Sequence, residues 1–187
     1  IFTGSVHEPI KGTKNPQKML QTGIPFTKKP VALQFDYKVK MSDRENRIRA
    51  TGFSKITDVP GKDYPAAILL LQKRWEDANG NVYAKRIGTM VTYYYHSTDW
   101  KNNVTYEIMY GDITNRPEYK AHLMRLQATE SYTVNSKGES VPIHEVAWGD
   151  ENDVPTHMYI QFTSSHGGAY IGSPGNTLWV DNVKLVY

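Results

Sequence analysis

The chain has 187 residues, of which 39% are hydrophobic and 22% are charged, a balance typical of a globular domain with a sizeable core. Its net charge is only +3, with basic and acidic residues interspersed, so we expect no nucleic-acid partner. Cysteine is absent, which excludes disulfides, thiol nucleophiles and cysteine-based zinc or iron–sulfur sites.

The longest apolar run, residues 66–71, is far shorter than a bilayer-spanning helix, so we expect no membrane insertion by this chain. The chain opens on Ile-Phe-Thr-Gly and shows no charged stretch followed by an apolar one, the pattern of a secretory signal. We therefore interpret residues 1–187 as one domain, a mature or excised fragment of a longer protein.

The clearest predicted strand spans residues 31–41, where apolar and polar side chains alternate with a period of two. The preceding residues 23–30 carry two prolines, which exclude a helix and deliver the chain in an extended form. Such alternation predicts one buried face and one wetter face. The apolar positions are Val31, Leu33, Phe35, Tyr37, Val39 and Met41.

A predicted hairpin follows. Residues 66–75 are uniformly apolar at first and then polar, as expected of a strand that leaves the core. The Asn79-Gly80 turn accepts positive φ at low cost, so this strand is predicted to pair with residues 82–85. Alternating runs at residues 104–110 and 158–162 predict two more strands.

Residues 132–134 and 141–143 are predicted to pair across a looser turn. One segment departs from the β pattern, because residues 115–118 resemble a helix cap with an early proline and apolar residues follow at helical spacing. We predict one short helix there, although residues 122–127 also fit a strand. Short strands between Gly, Pro and Asn turns predict an all-β sandwich or barrel.

The carboxy-terminal segment predicts a closing strand with an irregularity. Leu178 and Val180 share one strand face, whereas Val183 and Leu185 have the opposite parity. A β-bulge at Asp181-Asn182 would let both pairs enter the same core, so we predict one there.

Three motifs carry a resemblance to a known family: Gly-Ile-Pro-Phe-Thr-Lys-Lys-Pro at 23–30, Ser-Ser-x-x-Gly at 164–168 and Gly-x-x-Leu-x-Val-Asp-Asn at 175–182. Together they resemble the putative carbohydrate metabolism domain of exported Bacteroidetes proteins, a galactose-binding-like jelly roll. The resemblance implies a jelly-roll β-sandwich, a role with glycans and an extracellular or cell-surface location in a lipoprotein. It also implies that early strands of the family are missing upstream of residue 2, and it carries over no catalytic residue.

Sugar recognition requires a flat apolar ring that stacks on the C–H face of a pyranose, flanked by polar groups that bind its hydroxyls. Trp100 leads the candidates because the polar segment 97–103 offers a tryptophan little core to enter. Consecutive tyrosines alternate faces in a strand, so either Tyr94 alone or Tyr93 with Tyr95 points at ligand. The alternative is that these rings fill the core or cover an edge. The predicted carbohydrate-binding residues are Trp100, Trp148, Tyr94, Tyr170 and Trp75.

Calcium is the only cofactor that the sequence indicates. Asp150 and Asp153 belong to an acidic run of hard oxygen ligands, but the spacing matches no EF-hand, and a solvated turn is the alternative. The family resemblance implies a further candidate at Asp181, because jelly-roll binding modules often hold a structural ion near the closing strand. A bond from this side chain to the backbone of the bulge is its alternative.

Catalytic signatures are missing from the sequence. His144-Glu145 lacks the second histidine of a zinc helix, and there is neither a Gly-x-Ser-x-Gly elbow nor a phosphate-binding glycine loop. The leading hypothesis is a non-catalytic carbohydrate-binding module whose partner is a poly- or oligosaccharide. The alternatives are a glycoside hydrolase or lyase that uses two carboxylates, and a structural or adhesion module whose aromatic residues form a protein interface.

Overall fold

The computed structural model describes residues 1–7, 15–51 and 55–187, and strands dominate these ranges. Neither of the two short helices described is long and apolar enough to span a bilayer. The elements in chain order are β1 Gly4–Val6, a 3-10 helix Pro16–Met19, β2 Leu20–Thr22, β3 Ile24–Pro25, β4 Ala32–Lys40, β5 Arg47–Arg49, β6 Thr57–Val59, β7 Ala66–Glu76, β8 Val82–Tyr93, β9 Thr98–Glu107, β10 Met109–Tyr110, α1 Ala121–Met124, β11 Tyr132–Val134, β12 Ser140–Trp148, β13 His157–Thr163, β14 Ile171–Gly172 and β15 Thr177–Val186.

The larger sheet is built around the hairpin β7–β8 and has the strand order β11-β12-β8-β7-β13-β3, with β10 also paired to β8. The hairpin is confirmed: Trp75 pairs with Tyr83, and Gly80 in the turn has a φ of 91°. The predicted pairing of β11 with β12 and the predicted strand β13 are also confirmed. β12 runs parallel to β8, a pairing that local patterns do not reveal.

The second sheet of the sandwich has β4 between β15 and β9, and it packs across the core from the larger sheet. Two further small sheets pair β1 with β2 and β5 with β6 and β14. Leu33 and Phe35 of β4 are fully buried, and the Phe35 ring meets Phe162 of β13 edge-on at 5.0 Å. Burying a side chain of this size contributes about 1.5–3 kcal/mol. The two sheets enclose one core, which confirms the predicted all-β sandwich. Beside the single-turn 3-10 helix, α1 is the one short α-helix among the described residues.

The predicted bulge in the closing strand is confirmed, because the register of β15 against β4 shifts between Asp181 and Lys184. Leu185 reaches the core, as predicted. Val183 does not, since it is 46% exposed, so the expectation that both members of the Val183 and Leu185 pair would enter the core was wrong for Val183. Val183 lies within the register shift, so inward packing resumes only at Leu185.

The predicted helix is shorter than its sequence pattern. Residues 115–119 form turns, and α1 starts after Lys120, which offers no side-chain cap. It ends at once because the backbone N–H of Gln127 donates to the Glu145 carboxylate at 2.7 Å and its carbonyl accepts from the Glu145 N–H. Tertiary pairing with β12 therefore outweighs helical spacing.

Glu145 belongs to a buried polar network on the face of the larger sheet that points away from the core. Its Oε1 accepts from Gln72 Nε2 and Arg86 Nε, each at 2.5 Å, and its Oε2 pairs with the second edge of the same guanidinium. Arg86 is only 1% exposed. Since a buried charge is tolerated only when it is paired and hydrogen-bonded, this network fixes the register of β7, β8 and β12.

Candidate functional site

The candidate site lies on the outer face of the sheet β15-β4-β9, which we call the tryptophan face after its residues Trp100 and Trp179. Phe35, Tyr37 and Val39 of β4 pack into the core. Because side chains alternate along a strand, Asp36 and Lys38 emerge on the opposite, outer side.

Trp179 lies on the same face. Leu178 and Val180 on either side of it pack against the core, so the indole emerges outward and is 40% exposed. It pairs in register with Lys38, whose Nζ lies 5.7 Å from the ring centroid. Such a cation–π contact is worth about 0.5–1 kcal/mol at an exposed site and helps to orient the ring.

Trp100 lies on the other edge strand, β9, and is 48% exposed, in keeping with the polar sequence around it. The register of β9 against β4 slips by one residue here, so that Asp99 and Trp100 both stand opposite Lys38. Trp100 and Trp179 therefore flank Lys38 from the two edge strands. Because neighbouring strands lie about 5 Å apart, these two edge strands are about 10 Å apart.

A polar clamp around Asp36 lies next to these rings. The backbone N–H of Asn103 donates to one carboxylate oxygen at 2.5 Å, and the side-chain amide of Asn182 donates to the other at 2.7 Å. Asn103 and Asn182 have φ values of 53° and 52°, in the left-handed region, and each lies in a bulge of its strand. Bulges and such backbone conformations concentrate near functional sites.

The clamp keeps Asp36 charged. The hydrogen bonds from Asn103 and then from Asn182 lower the pKa of the carboxyl below its ordinary value, partial burial opposes them, and the Lys184 charge adds to the lowering. Further along the same face Gln34 Nε2 donates to Thr105 Oγ1 at 2.9 Å. The tryptophans therefore adjoin a row of hydrogen-bonded polar groups.

Charges on the tryptophan face are balanced. The register places four cations and four carboxylates on or beside it, so its formal charge is zero. Exposed indoles beside planar polar groups and no net charge suit a neutral, hydroxyl-rich ligand. The eight charged residues are Lys38, Lys40, Lys101 and Lys184 with Asp36, Asp99, Glu107 and Asp181.

The other predicted aromatic residues do not join this face. Trp75 is 43% exposed and stacks on Tyr83 at 5.8 Å, and Tyr83 in turn contacts His144 at 5.8 Å. This stack crosses β7, β8 and β12 of the larger sheet. Trp75 therefore belongs to the larger sheet and not to the tryptophan face.

Tyr94 is buried in the core, 6% exposed, with its ring 4.7 Å from Tyr37. Tyr94 therefore packs between the two sheets and lies off the tryptophan face, and its predicted contact with a sugar stays a prediction. The alternation of the three tyrosines places Tyr93 and Tyr95 on the opposite side, and Tyr95 is 45% exposed.

Trp148 and Tyr170 also lie apart. The Trp148 ring is half-buried, edge-on to Tyr119 at 6.3 Å and 5.7 Å from the Arg86 guanidinium. Tyr170 is 37% exposed, adopts a φ of 61°, and its carbonyl accepts from the Ala50 N–H. The five predicted sugar-binding residues therefore do not form one groove.

The predicted calcium ligands take part in local hydrogen bonds. Asp150 accepts from the Asn152 N–H, Asp153 pairs with Lys73 at 2.7 Å, and Asp181 accepts from the Asn182 N–H at 2.8 Å. Within the described ranges no three His, Asp or Glu side chains are grouped as metal ligands. These contacts fit the solvated turn and the bulge bond named above, and calcium at these positions stays a prediction.

The sequence interpretation missed Trp179 and the Asp36 clamp. The parity of Leu178 and Val180 signals an outward indole between them, and the alternation of β4 signals an outward Asp36. No local pattern signals that Asn103 and Asn182 converge on that carboxylate.

The fold and this face define an all-β sandwich domain with exposed aromatic residues on one outer sheet face. The family model described as putative carbohydrate metabolism domain matches residues 1–186, so the chain belongs to that family and is a domain related to carbohydrate metabolism. No curated protein and no solved structure matched the chain.

Proposed function

We propose that this domain is a non-catalytic carbohydrate-binding module that holds a neutral polysaccharide across the strands of the tryptophan face. The observation that carries the proposal is the pair of half-exposed indoles, Trp179 and Trp100, on opposite sides of Lys38. The separation of about 10 Å between the two edge strands that carry these indoles suits an extended chain of sugar rings.

The chemistry of the neighbouring residues supports this ligand class. Each indole offers an apolar surface for a pyranose C–H face, and Lys38 between them offers donors to ring hydroxyls. The hydrogen-bonded row from Asp36 to Gln34 and Thr105 supplies further polar groups in fixed positions. Such preorganisation lowers the entropic cost of binding.

Binding is favoured over hydrolysis by the state of the best-placed carboxylate. A glycosidase needs two carboxyl groups about 5–9.5 Å apart, one of them a proton donor with a raised pKa. The pKa of Asp36 is lowered instead, and both of its oxygens accept hydrogen bonds from the protein. This environment suits a structural carboxylate.

A cell-surface location forms part of the proposal and rests on the family resemblance. A module that only binds sugar is useful where it holds a larger exported protein on its glycan. Protease treatment of intact cells should remove the domain from the parent protein, and protection until the cells are lysed would contradict this location.

Native affinity electrophoresis tests the binding claim. We expect β-glucan, galactomannan, xyloglucan or glycogen in the gel to retard the purified domain, and we expect incubation with the same polymer to release no reducing ends. Migration unaffected by every polymer would refute the module. Reducing ends released by the wild type but not after replacement of two acids would identify an enzyme instead.

A further inference from the structure

A cavity lies on the opposite side of the molecule from the tryptophan face. It has a volume of about 600 Å³ and opens over the face of β7, β8 and β13 that points away from the sandwich core. This volume lies within the range of about 300–1,000 Å³ that is usual for small-molecule sites. We call it the tyrosine cleft, after Tyr93 and Tyr159 in its lining.

Side chains of the larger sheet line the tyrosine cleft. Tyr93 of β8 and Tyr159 of β13 pack on a small apolar cluster that includes Ile68. Gln161, two residues beyond Tyr159 on β13, brings a side-chain amide to the same lining. Burial raises the pKa of Tyr93 to about 12, so its hydroxyl remains available as a donor at neutral pH. The lining thus combines aromatic rings with neutral hydrogen-bonding groups.

One wall of the cleft is rigidly built around Asp63, which is 6% exposed. Its carboxylate accepts from the backbone N–H groups of Tyr64 at 2.8 Å and His166 at 2.9 Å, and from the Ser165 hydroxyl. The His166 ring stands edge-on to Tyr93 at 5.6 Å. Burial lowers the pKa of His166 despite the opposing Asp63 charge, so the imidazole is neutral at pH 7.

Most charges in the cleft already have protein partners. Arg125 pairs with Glu130 at 2.6 Å, and Lys62 pairs with Glu45 at 3.1 Å. Arg47 is held by the Pro60 carbonyl at 2.7 Å and has no carboxylate partner among the described residues. A ligand with several hydroxyls fits this lining better than an anion does, because the buried Asp63 carboxylate and the Arg47 side chain both lie against Gly167, so negative charge already stands beside this cation.

We propose that the tyrosine cleft is a second glycan site, which takes the end of a short neutral oligosaccharide. The ligand class of this proposal rests on the proposed function. The two sites differ in shape, because the tryptophan face is open along its length, whereas the cleft is walled by the Asp63 loop and by residues 122–131. The domain would then hold two glycan segments at once, and linked sites gain avidity without new contacts.

NMR titration with cellotetraose, mannotetraose and maltotetraose separates the two sites. The four Trp indole N–H signals include Trp100 and Trp179, and tryptophan is absent from the described lining of the cleft. We expect at least one tetrasaccharide to shift the backbone amides of Tyr93, Gln161 and His166. This shift should persist in Trp179→Ala.

Gln161→Ala and Tyr93→Phe should each weaken that binding by about 3–10-fold, the loss expected for one hydrogen bond. Both variants should keep the native spectrum, and polysaccharide gels should still retard them through the tryptophan face. Tetrasaccharides that shift only the indole signals, or binding unchanged in both variants, would overturn the cleft site and leave the proposed function standing. Tetrasaccharide binding in the cleft without any gel retardation would refute the polysaccharide site on the tryptophan face and leave the cleft site standing.

Discussion

The side-chain amide of Asn182 donates a 2.7 Å hydrogen bond to the carboxylate of Asp36, 146 positions earlier in the chain. The bond ties the bulge of the closing strand β15 to the centre of β4. The bulge of β9 reaches the same carboxylate through the Asn103 N–H. One buried acid therefore fixes the position of both edge strands along β4, and with it the positions of Trp179 and Trp100.

Replacing that acid should disturb the tryptophan face without unfolding the sandwich. In Asp36→Asn an NH2 donor replaces one of the two carboxylate oxygens, so either the Asn103 N–H or the Asn182 amide faces a donor instead of an acceptor. We expect weaker polysaccharide retardation and shifted indole signals for Trp179 and Trp100, measured by affinity electrophoresis and NMR.

Asp58→Asn is the matched control, because Asp58 is exposed and its 3.4 Å pair with Arg44 is a surface pair of small energy. It should retain wild-type retardation. Equal behaviour of Asp36→Asn and Asp58→Asn would show that the clamp does not organise the face.

The buried ion pair offers a test of the larger sheet. Glu145→Gln leaves the Arg86 guanidinium charged inside the protein without its counter-ion, so the free energy of unfolding should fall by about 3–5 kcal/mol. Asp153→Asn breaks the exposed pair with Lys73 and should cost no more than about 1 kcal/mol. Urea denaturation of both variants measures the difference, and equal losses would mean that the network does not hold β8 and β12 together.

Stability should fall as the pH is lowered below neutrality. Burial and then the nearby Arg74 charge lower the pKa of His157 from 6.5 to about 4. Between these values the unfolded chain binds a proton that the folded protein excludes, so the free energy of unfolding rises with pH across this window. His166, whose pKa is also lowered, acts in the same direction.

Replacement of His157 should therefore flatten this pH dependence. Denaturant melts of His157→Gln at pH 7, 6, 5 and 4 should show a smaller loss of stability than the wild type. His96→Gln, at an exposed position, serves as the control and should follow the wild type. A wild-type stability that is constant from pH 7 to 4 would contradict the buried environment of His157.

Local patterns predicted the strands well because side-chain alternation reports which face is buried. β4, the β7–β8 hairpin and the bulge at Asp181-Asn182 all follow from residue order alone. The exposure of Trp100 followed from the polar residues around it.

Long-range pairing was not predictable in the same way. The parallel contact of β12 with β8 and the convergence of Asn103 and Asn182 on Asp36 join segments far apart in sequence. The α1 segment was predicted too long because contacts of Gln127 with Glu145 outweigh local helical preference. The side on which Tyr94 lies was not predictable for a related reason: alternation separates it from Tyr93 and Tyr95, but it does not say which side faces the second sheet.

Binding by indole truncation variants tests the central claim most directly. On the polymer that retards the wild type, Trp179→Ala and Trp100→Ala should each raise the Kd roughly tenfold or more, as expected for a central aromatic anchor. Trp75→Ala removes an equally exposed indole from the larger sheet and should leave the Kd unchanged. Wild-type affinity in both Trp179→Ala and Trp100→Ala, or a loss confined to Trp75→Ala, would contradict the account.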